Sequence, residues 1–192
     1  MSEINKLQSA WDTPFVVPLG GRLRRAFYWY PGTMAASADP EAQLDSQARV
    51  HTAALGVVLV TEAGLIPFCW RMEGSDEWLG LDPPWCSNEA LPEYWVVDAT
   101  AAWRHRGLID LALSDVSLFT YRGEAAGSRS DVVGCVLTFG HAEVGIVLAD
   151  FESGHLANTA DTVAVVFSRA DLDEYVRRSG WQRHSIPVAE PK

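Results

Sequence analysis

The sequence lacks the short motifs that identify the best-known classes of enzyme and metal site. It contains no GxxxxGKS/T or GxGxxG loop to bind a phosphate group and no GxSxG turn to present a nucleophilic serine. It also contains no HExxH motif, no EF-hand loop and no paired CxxC. We therefore predict neither a metal site nor a cofactor.

Cysteine is scarce, and long apolar runs are missing. The three cysteines, Cys69, Cys86 and Cys135, are too few and too scattered for a disulfide framework, which favours a reducing compartment. No apolar run approaches the roughly 20 residues that cross a bilayer, and residues 1–14 lack the apolar core of a secretion signal. The sequence predicts a cytoplasmic protein with no membrane partner.

Positive charge is the third scarcity. The chain has 15 Lys and Arg residues against 25 Asp and Glu residues, with a net charge of −10 and a pI near 4.8. Such a surface repels a phosphate backbone, which argues against nucleic-acid binding. The same charge makes a basic protein partner electrostatically favourable.

What the sequence does contain is ordinary globular composition over 192 residues, with 48% hydrophobic and 21% charged residues. A chain of this length buries a real core in a single domain. We predict one α+β domain over residues 1–192. It has a mainly antiparallel sheet, two or three helices packed on that sheet, and a long aromatic-rich loop. Residues 1–13 are predicted to form an N-terminal arm, and residues 182–192 a frayed tail.

The strongest strand patterns lie in the second half of the chain. Residues 132–139 and 144–151 are rich in β-branched and aromatic side chains and flank Gly140-His141, which predicts a hairpin with a tight turn. Residues 163–167 are five apolar residues in a row, which predicts a central strand covered on both faces.

A helix is predicted to follow this central strand directly. Ser168 offers a side-chain oxygen to cap the first backbone N–H groups, and Gly180 provides the left-handed residue that ends a helix. The apolar stripe that should face the sheet consists of Leu172, Tyr175 and Val176. A shorter helix is predicted over residues 99–106, with Asp98 as its cap.

Three elements are predicted in the first half of the chain. Residues 22–30 alternate as a strand, and residues 40–50 begin with a helix-start pattern but show only a weak apolar stripe. Residues 55–60 and 65–70 flank a turn and predict a second hairpin. Pro67 has no N–H group, so the second strand of this hairpin is predicted to be an edge strand or to carry a bulge.

The predicted loop, residues 73–95, combines large aromatic side chains with acidic charge. No Lys or Arg lies between Arg71 and Arg104. Trp and Tyr anchor many interfaces, and carboxylates around them select a basic partner. The residues we predict to bind that partner are Trp78, Trp85, Tyr94, Trp95, Asp76, Glu77 and Asp82.

Two functional hypotheses follow. The first is a noncatalytic binding protein that engages a basic protein partner through this loop, by physical analogy with an inhibitor or immunity-type protein of a toxin. The alternative is a small-molecule-binding protein or enzyme with a pocket lined by aromatic residues. The indoles of that pocket would come from Trp78, Trp85, Trp95 and Trp103. A third interpretation is that the indoles simply cover the sheet.

The best candidate for catalysis is a polar cluster of Asp150, Glu152 and His155. Two carboxylates and an imidazole could hold a metal or a water molecule, although short polar clusters of this kind usually form turns. His141 is excluded from the cluster, because a hairpin turn lies about 25–30 Å from the far end of its strand. The sequence favours binding over catalysis.

Overall fold

A computed structural model describes residues 17–31, 44–73, 76–81, 94–122, 130–157 and 162–185. Within these ranges the chain forms thirteen strands and two helices. The strands are β1 (Leu23–Pro31), β2 (Val50–Thr52), β3 (Gly56–Thr61), β4 (Gly64–Glu73), β5 (Asp76–Gly80), β6 (Tyr94–Asp98), β7 (Leu113–Arg122), β8 (Ser130–Phe139), β9 (Ala142–Leu148), β10 (Asp150–Glu152), β11 (His155–Ala157), β12 (Val163–Val166) and β13 (Gln182–Ser185). The helices are α1 (Thr100–His105) and α2 (Arg169–Ser179).

The predicted α+β class is wrong, because the structure is mostly β-sheet, with 59% of the described residues in strands and 14% helical. The strands form three antiparallel sheets. Five strands pair in the order β5-β4-β3-β1-β6, six pair in the order β13-β7-β8-β9-β12-β2, and β10 and β11 form a separate hairpin. Among the described residues, no helix has the length and apolar character needed to cross a membrane.

The two large sheets pack face to face around the main core. That core takes its side chains from the inward faces of both sheets and from α1. Its largest fully buried members include Tyr28, Phe68, Leu79, Trp103, Phe139 and Ile146. A second core lies on the outer face of the six-stranded sheet, where α2 and the β10–β11 hairpin cover it. The described part of the fold is therefore a two-sheet sandwich with a helix on one outer face.

The strands predicted in the second half of the chain are confirmed. β8 and β9 pair in register from Gly134↔Val147 to Phe139↔Ala142, and Gly140 in the turn between them has a φ of 62°. β12 lies between β9 and β2, and all four of its residues are buried. The outer face of β12 belongs to the second core, which explains why its sequence is apolar without alternation.

Helix α2 is also confirmed, together with both of its caps. The backbone N–H of Asp171 donates to Ser168 Oγ over 3.3 Å, and Gly180 ends the helix with a φ of 68° and an N–H that donates to the carbonyl of Val176. Leu172 and Tyr175 are buried against the sheet, and the Tyr175 hydroxyl donates to the Leu148 carbonyl over 2.8 Å. The shorter helix, α1, also lies where it is predicted, but its N-cap residue is Ala99 and not the predicted Asp98.

The strands predicted in the first half of the chain form, with one correction at Pro67. β1 buries Tyr28 and Tyr30 and turns Phe27 and Trp29 outward, and β3 and β4 pair as the predicted hairpin. β4 is not an edge strand, because it lies between β3 and β5. However, β5 pairs only with Cys69 and the β4 residues that follow it. No described strand therefore lies beside Pro67 on the side of its nitrogen, which has no hydrogen to donate.

The helix predicted over residues 40–50 is wrong where the structure describes it. Residues 44–49 contain a turn, in which Ala48 N–H donates to the Asp45 carbonyl, and Val50 already belongs to β2. β2 pairs with β12, so residues 50–52 complete an edge of the six-stranded sheet. Residues 40–43 lie outside the described part of the chain. Pairing with the buried strand β12 outweighs here the weak tendency of the apolar stripe to form a helix.

The predicted loop and tail contain two strands, β5 and β13, that the sequence pattern did not reveal, whereas Trp95-Val96-Val97 is predicted from the sequence as a short strand and lies in β6. Asp76–Gly80 and Tyr94–Asp98 form β5 and β6, so the connection between them is shorter than predicted, and residues 82–93 lie outside the described part. Gln182–Ser185 forms β13, which pairs with β7 at the edge of the six-stranded sheet. Residues 1–16 and 186–192 also lie outside the described part.

Candidate interaction surface and polar sites

The structure separates the tryptophans that the sequence groups together. Trp78 lies on β5 and Trp95 on β6, which are the two outer strands of the five-stranded sheet. Four strand spacings separate these strands, or about 19 Å. Trp103 lies on α1 with no exposed surface, inside the main core. Trp85 lies outside the described residues. Trp78, Trp95 and Trp103 therefore lie on three different elements and do not form one cluster.

The other predicted binding residues follow the same division. Asp76 and Glu77 lie on β5, opposite Glu73 and Met72 of β4. Tyr94 begins β6 and pairs with Pro31 of β1. Asp82 lies outside the described residues. The described members of the predicted set are thus distributed over both outer strands of one sheet.

β6 combines exposed apolar side chains with an outer position in the described part of its sheet. Trp95 and Val96 are 38% and 39% exposed, and they are two of the three exposed large hydrophobic residues in the described part of the chain. β6 pairs with β1 on one side, and no described strand pairs with its other side. Successive side chains of a strand point to opposite faces, so Trp95 and Val96 flank this edge from both faces.

Asp98 fixes the end of β6 and the start of α1. Its Oδ2 accepts a hydrogen bond from Arg25 over 2.7 Å, and its Oδ1 accepts one from the Thr100 N–H over 2.9 Å. Partial burial raises the pKa of Asp98, but these hydrogen bonds outweigh burial and hold the pKa below its usual value. Asp98 therefore stays ionised and positions the strand.

The polar cluster of Asp150, Glu152 and His155 lies on the β10–β11 hairpin. Glu152 pairs with His155 and Asp150 with Ala157, so the register places all three residues on one face of the hairpin. The Asp150 carboxylate is occupied, since its Oδ1 accepts from the Phe151 N–H over 2.7 Å. His155 is exposed. Among the described side chains, no group of three or more His, Cys, Asp or Glu residues is placed to hold a metal ion.

A buried series of hydrogen-bonded polar side chains, which no sequence pattern indicates, crosses the main core. The Trp103 indole N–H donates to the Tyr28 hydroxyl over 2.9 Å, and that hydroxyl lies 2.9 Å from Nδ1 of His51. Nε2 of His51 lies 2.9 Å from the Asp45 carbonyl oxygen. Because a carbonyl only accepts, Nε2 carries the proton, so Nδ1 accepts from the Tyr28 hydroxyl. When His51 is neutral, every polar side chain in this series has a hydrogen-bond partner.

Burial sets the protonation states within this series. His51 is 1% exposed, and burial, which removes water from the charged imidazole, lowers its pKa below the ordinary value. Burial raises the pKa of Tyr28, because the phenolate would be charged in the core. Only the inward position of Tyr28 on an alternating strand could have been found from the sequence. The approach of His51 results from long-range strand pairing.

We expect the stability of the protein to fall between pH 7 and pH 5 because of His51. Its pKa is lower in the folded than in the unfolded state, so the unfolded state binds the proton more tightly once the pH drops below about 6.5. The folded state is therefore favoured above that pH and loses stability as the pH falls towards the lowered pKa. Urea unfolding at several pH values measures this slope. The slope should be flatter in His51→Gln and unchanged in His141→Gln, and equal slopes in all three proteins would refute the assignment.

Comparison of the chain with protein-family models, with curated proteins and with solved structures found no match.

Proposed function

We propose that this chain is a binding protein, and that the open edge of β6 receives an extended segment of a basic protein partner. The observation that carries the proposal is the adjacent exposure of Trp95 and Val96 on an outer strand. Unpaired backbone groups of an edge strand accept a further strand, and side chains on its two faces then select the sequence that binds.

The charge of the surrounding sequence supports a basic partner. Seven carboxylates and no Lys or Arg lie between Arg71 and Arg104, the part of the chain that contains both outer strands. Asp98 is already paired with Arg25, so attraction has to come from the remaining carboxylates. A field of one sign steers an oppositely charged partner and makes the association sensitive to salt.

The form of this proposal that fits the whole sequence is a noncatalytic inhibitor or immunity-type protein in the cytoplasm. Cys135 is a free, buried thiol, and burial raises its pKa well above the usual value, so it is an unreactive core residue. Such a thiol fits a reducing compartment. Capture of a partner by an edge strand requires no reactive group.

Replacing Val96 by a positive and by a negative side chain tests whether the partner is basic and whether β6 binds it. We expect Val96→Lys to weaken binding at least tenfold, because the new ammonium repels the partner and interrupts the apolar edge. Val96→Glu should retain binding, since the added charge is attractive. The measurement is affinity capture from the native cell on immobilised chain, followed by titration of the captured protein against each variant.

Leu65→Lys is the matched control, because Leu65 is 58% exposed and lies at the start of β4, away from β6. This variant carries the same added charge and should bind like the unmodified chain. The captured protein should be basic and should be released as the salt concentration rises. Equal binding by the Lys and Glu variants of Val96, or a partner of acidic character, would contradict the proposal.

A further inference from the structure

A second, independent site is suggested by a groove of about 280 Å³ at one end of the sandwich. Four segments form it: the residues that precede β2, the chain after α1, the start of β9, and the junction of β12 with α2. None of these segments belongs to the β6 surface. The groove is therefore a feature separate from the β6 surface.

Arg106 is the unusual residue of this groove. Its guanidinium is partly buried, donates to the Ala102 carbonyl over 3.0 Å and to the Ala48 carbonyl, and stacks 3.9 Å from the centre of the Phe167 ring. Other arginines of the described chain, such as Arg25 and Arg49, form ion pairs. No described carboxylate forms an ion pair with Arg106, and Asp45 acts on it only as a more distant charge.

An unpaired, partly buried charge needs a compensating partner. Removing a cation from water is unfavourable unless hydrogen bonds and an opposite charge replace the water. The two carbonyls occupy only part of the N–H donors of the guanidinium, and neither carries a full charge. Stacking on Phe167 holds the guanidinium in one orientation at the groove. Arg106 is thus a fixed cation with spare donors.

Two further groups of the groove are suited to the same kind of ligand. Arg49 lines the groove, and its exposed guanidinium has one partner, Asp171, at 3.1 Å. Ser168 lines the groove at the start of α2, a helix of eleven residues. Its oxygen accepts the capping bond from Asp171 N–H, so its own proton remains available to donate. The positive end of the helix dipole adds to the attraction of a negative group.

Glu143 is the carboxylate that lines the groove, and it does not cancel this charge. Arg183 forms an ion pair with it at 3.1 Å, and Arg169, which also pairs with Asp173, forms a second, so its charge is compensated. The remaining lining residues are mostly apolar, and Ala142 and Phe167 among them are only partly buried. The groove therefore combines a positive end with an apolar wall, although the whole chain carries a net charge of −10.

We propose that this groove binds a small organic anion. Arg106 and Arg49 hold its carboxylate or phosphate group, Ser168 donates to the same group, and the apolar body of the anion lies against Ala142 and Phe167. The site is independent of the β6 surface, so either proposal can fail without the other.

The test titrates the full chain with phenyl phosphate, benzoate and inorganic phosphate at constant ionic strength. Isothermal calorimetry measures affinity, and the side-chain Nε resonance of Arg106 in ¹⁵N-labelled protein reports the place of binding. We expect phenyl phosphate or benzoate to bind saturably and more tightly than inorganic phosphate, because only they contact the apolar wall. Comparison of these two ligands shows whether the natural group is a phosphate or a carboxylate.

Three variants test whether the groove is the place where the anion binds. Arg106→Gln should weaken binding about tenfold, the loss expected for one charge-assisted hydrogen bond. Arg49→Gln should weaken it several-fold, and because Arg49 is exposed this variant should fold even if Arg106→Gln does not. Arg104→Gln, near the end of α1 and exposed, should bind normally. The absence of saturable binding, or unchanged binding by Arg49→Gln together with an unmoved Arg106 resonance, would overturn the proposal.

Discussion

Replacing Trp103 by Ala is expected to lower the free energy of unfolding by about 4 kcal/mol, as is usual when a large aromatic residue is removed from a core. The indole is fully buried, and its edge contacts the rings of Phe139 and Phe167 with centroids 6.2 and 5.4 Å away. The substitution also removes the indole N–H that donates to the Tyr28 hydroxyl. It therefore leaves a cavity and breaks a buried hydrogen bond. Equilibrium unfolding in urea at neutral pH measures the change.

Two controls separate the parts of this effect. Trp103→Phe keeps most of the ring but loses the N–H, so it should cost about 1–3 kcal/mol for the unsatisfied Tyr28 oxygen and the reduced volume. Trp95→Ala should change stability by only about 0.5 kcal/mol, because that indole is on the surface. A loss for Trp103→Ala no larger than that for Trp95→Ala would show that the indole is not a core residue.

Gly56→Ala is expected to cost about 2–3 kcal/mol, because it overpacks the contact between two paired strands. A Cβ at this position would lie 2.4 Å from the Phe68 carbonyl oxygen and 3.1 Å from Cys69 Cα. Both atoms belong to the backbone of β4, which cannot move away without disrupting its pairing with β3. Thermal unfolding followed by circular dichroism measures the loss.

Gly80→Ala is the matched control for this substitution. Gly56 and Gly80 both pair with Cys69, from β3 on one side and β5 on the other. A Cβ at Gly80 would meet the side chain of Arg71, with the closest atom, Cγ, at 3.0 Å. A flexible side chain can move by a few tenths of an ångström, so we expect a clearly smaller loss. Equal losses at the two glycines would contradict this explanation.

Elements that are determined by local chemistry could be predicted from the sequence. Helix α2 has its beginning and its end encoded by Ser168 and Gly180, and the β8–β9 hairpin has its turn encoded by Gly140. In each case residues within one turn of the boundary supply the hydrogen bonds or the left-handed conformation that the boundary requires. No distant partner has to be known.

Elements that depend on a distant partner could not be predicted. β2 is three residues long and forms because β12 offers an edge to residues 50–52, and β5 is five residues long and forms because β4 continues past Pro67. Neither segment has enough residues for a period to be visible. The assignment to the α+β class failed for this reason, since the unrecognised strands raise the strand content and residues 44–52 form a turn and a strand where a helix is predicted.

The same limit applies to the candidate sites. Composition alone cannot tell Trp103, which is fully buried, from Trp95, which is 38% exposed, because indoles occur both in cores and at interfaces. Arg106 is one of three basic residues in succession and becomes distinctive only where it stacks on Phe167, a residue 61 positions further along the chain. Contacts of such separation are set by the topology and not by spacing.

β2 joins the two large sheets in a way that bears on cooperativity. The chain forms β1 in the five-stranded sheet, crosses to the six-stranded sheet for β2, and returns for β3. Backbone hydrogen bonds hold this crossing at both ends, since Ala53 donates to the Val163 carbonyl and Leu55 donates to the Trp29 carbonyl. Neither sheet can open without withdrawing a strand from the other. Amide protons of both sheets should therefore exchange with solvent through one shared opening, and no cleavage point would yield two halves that fold alone.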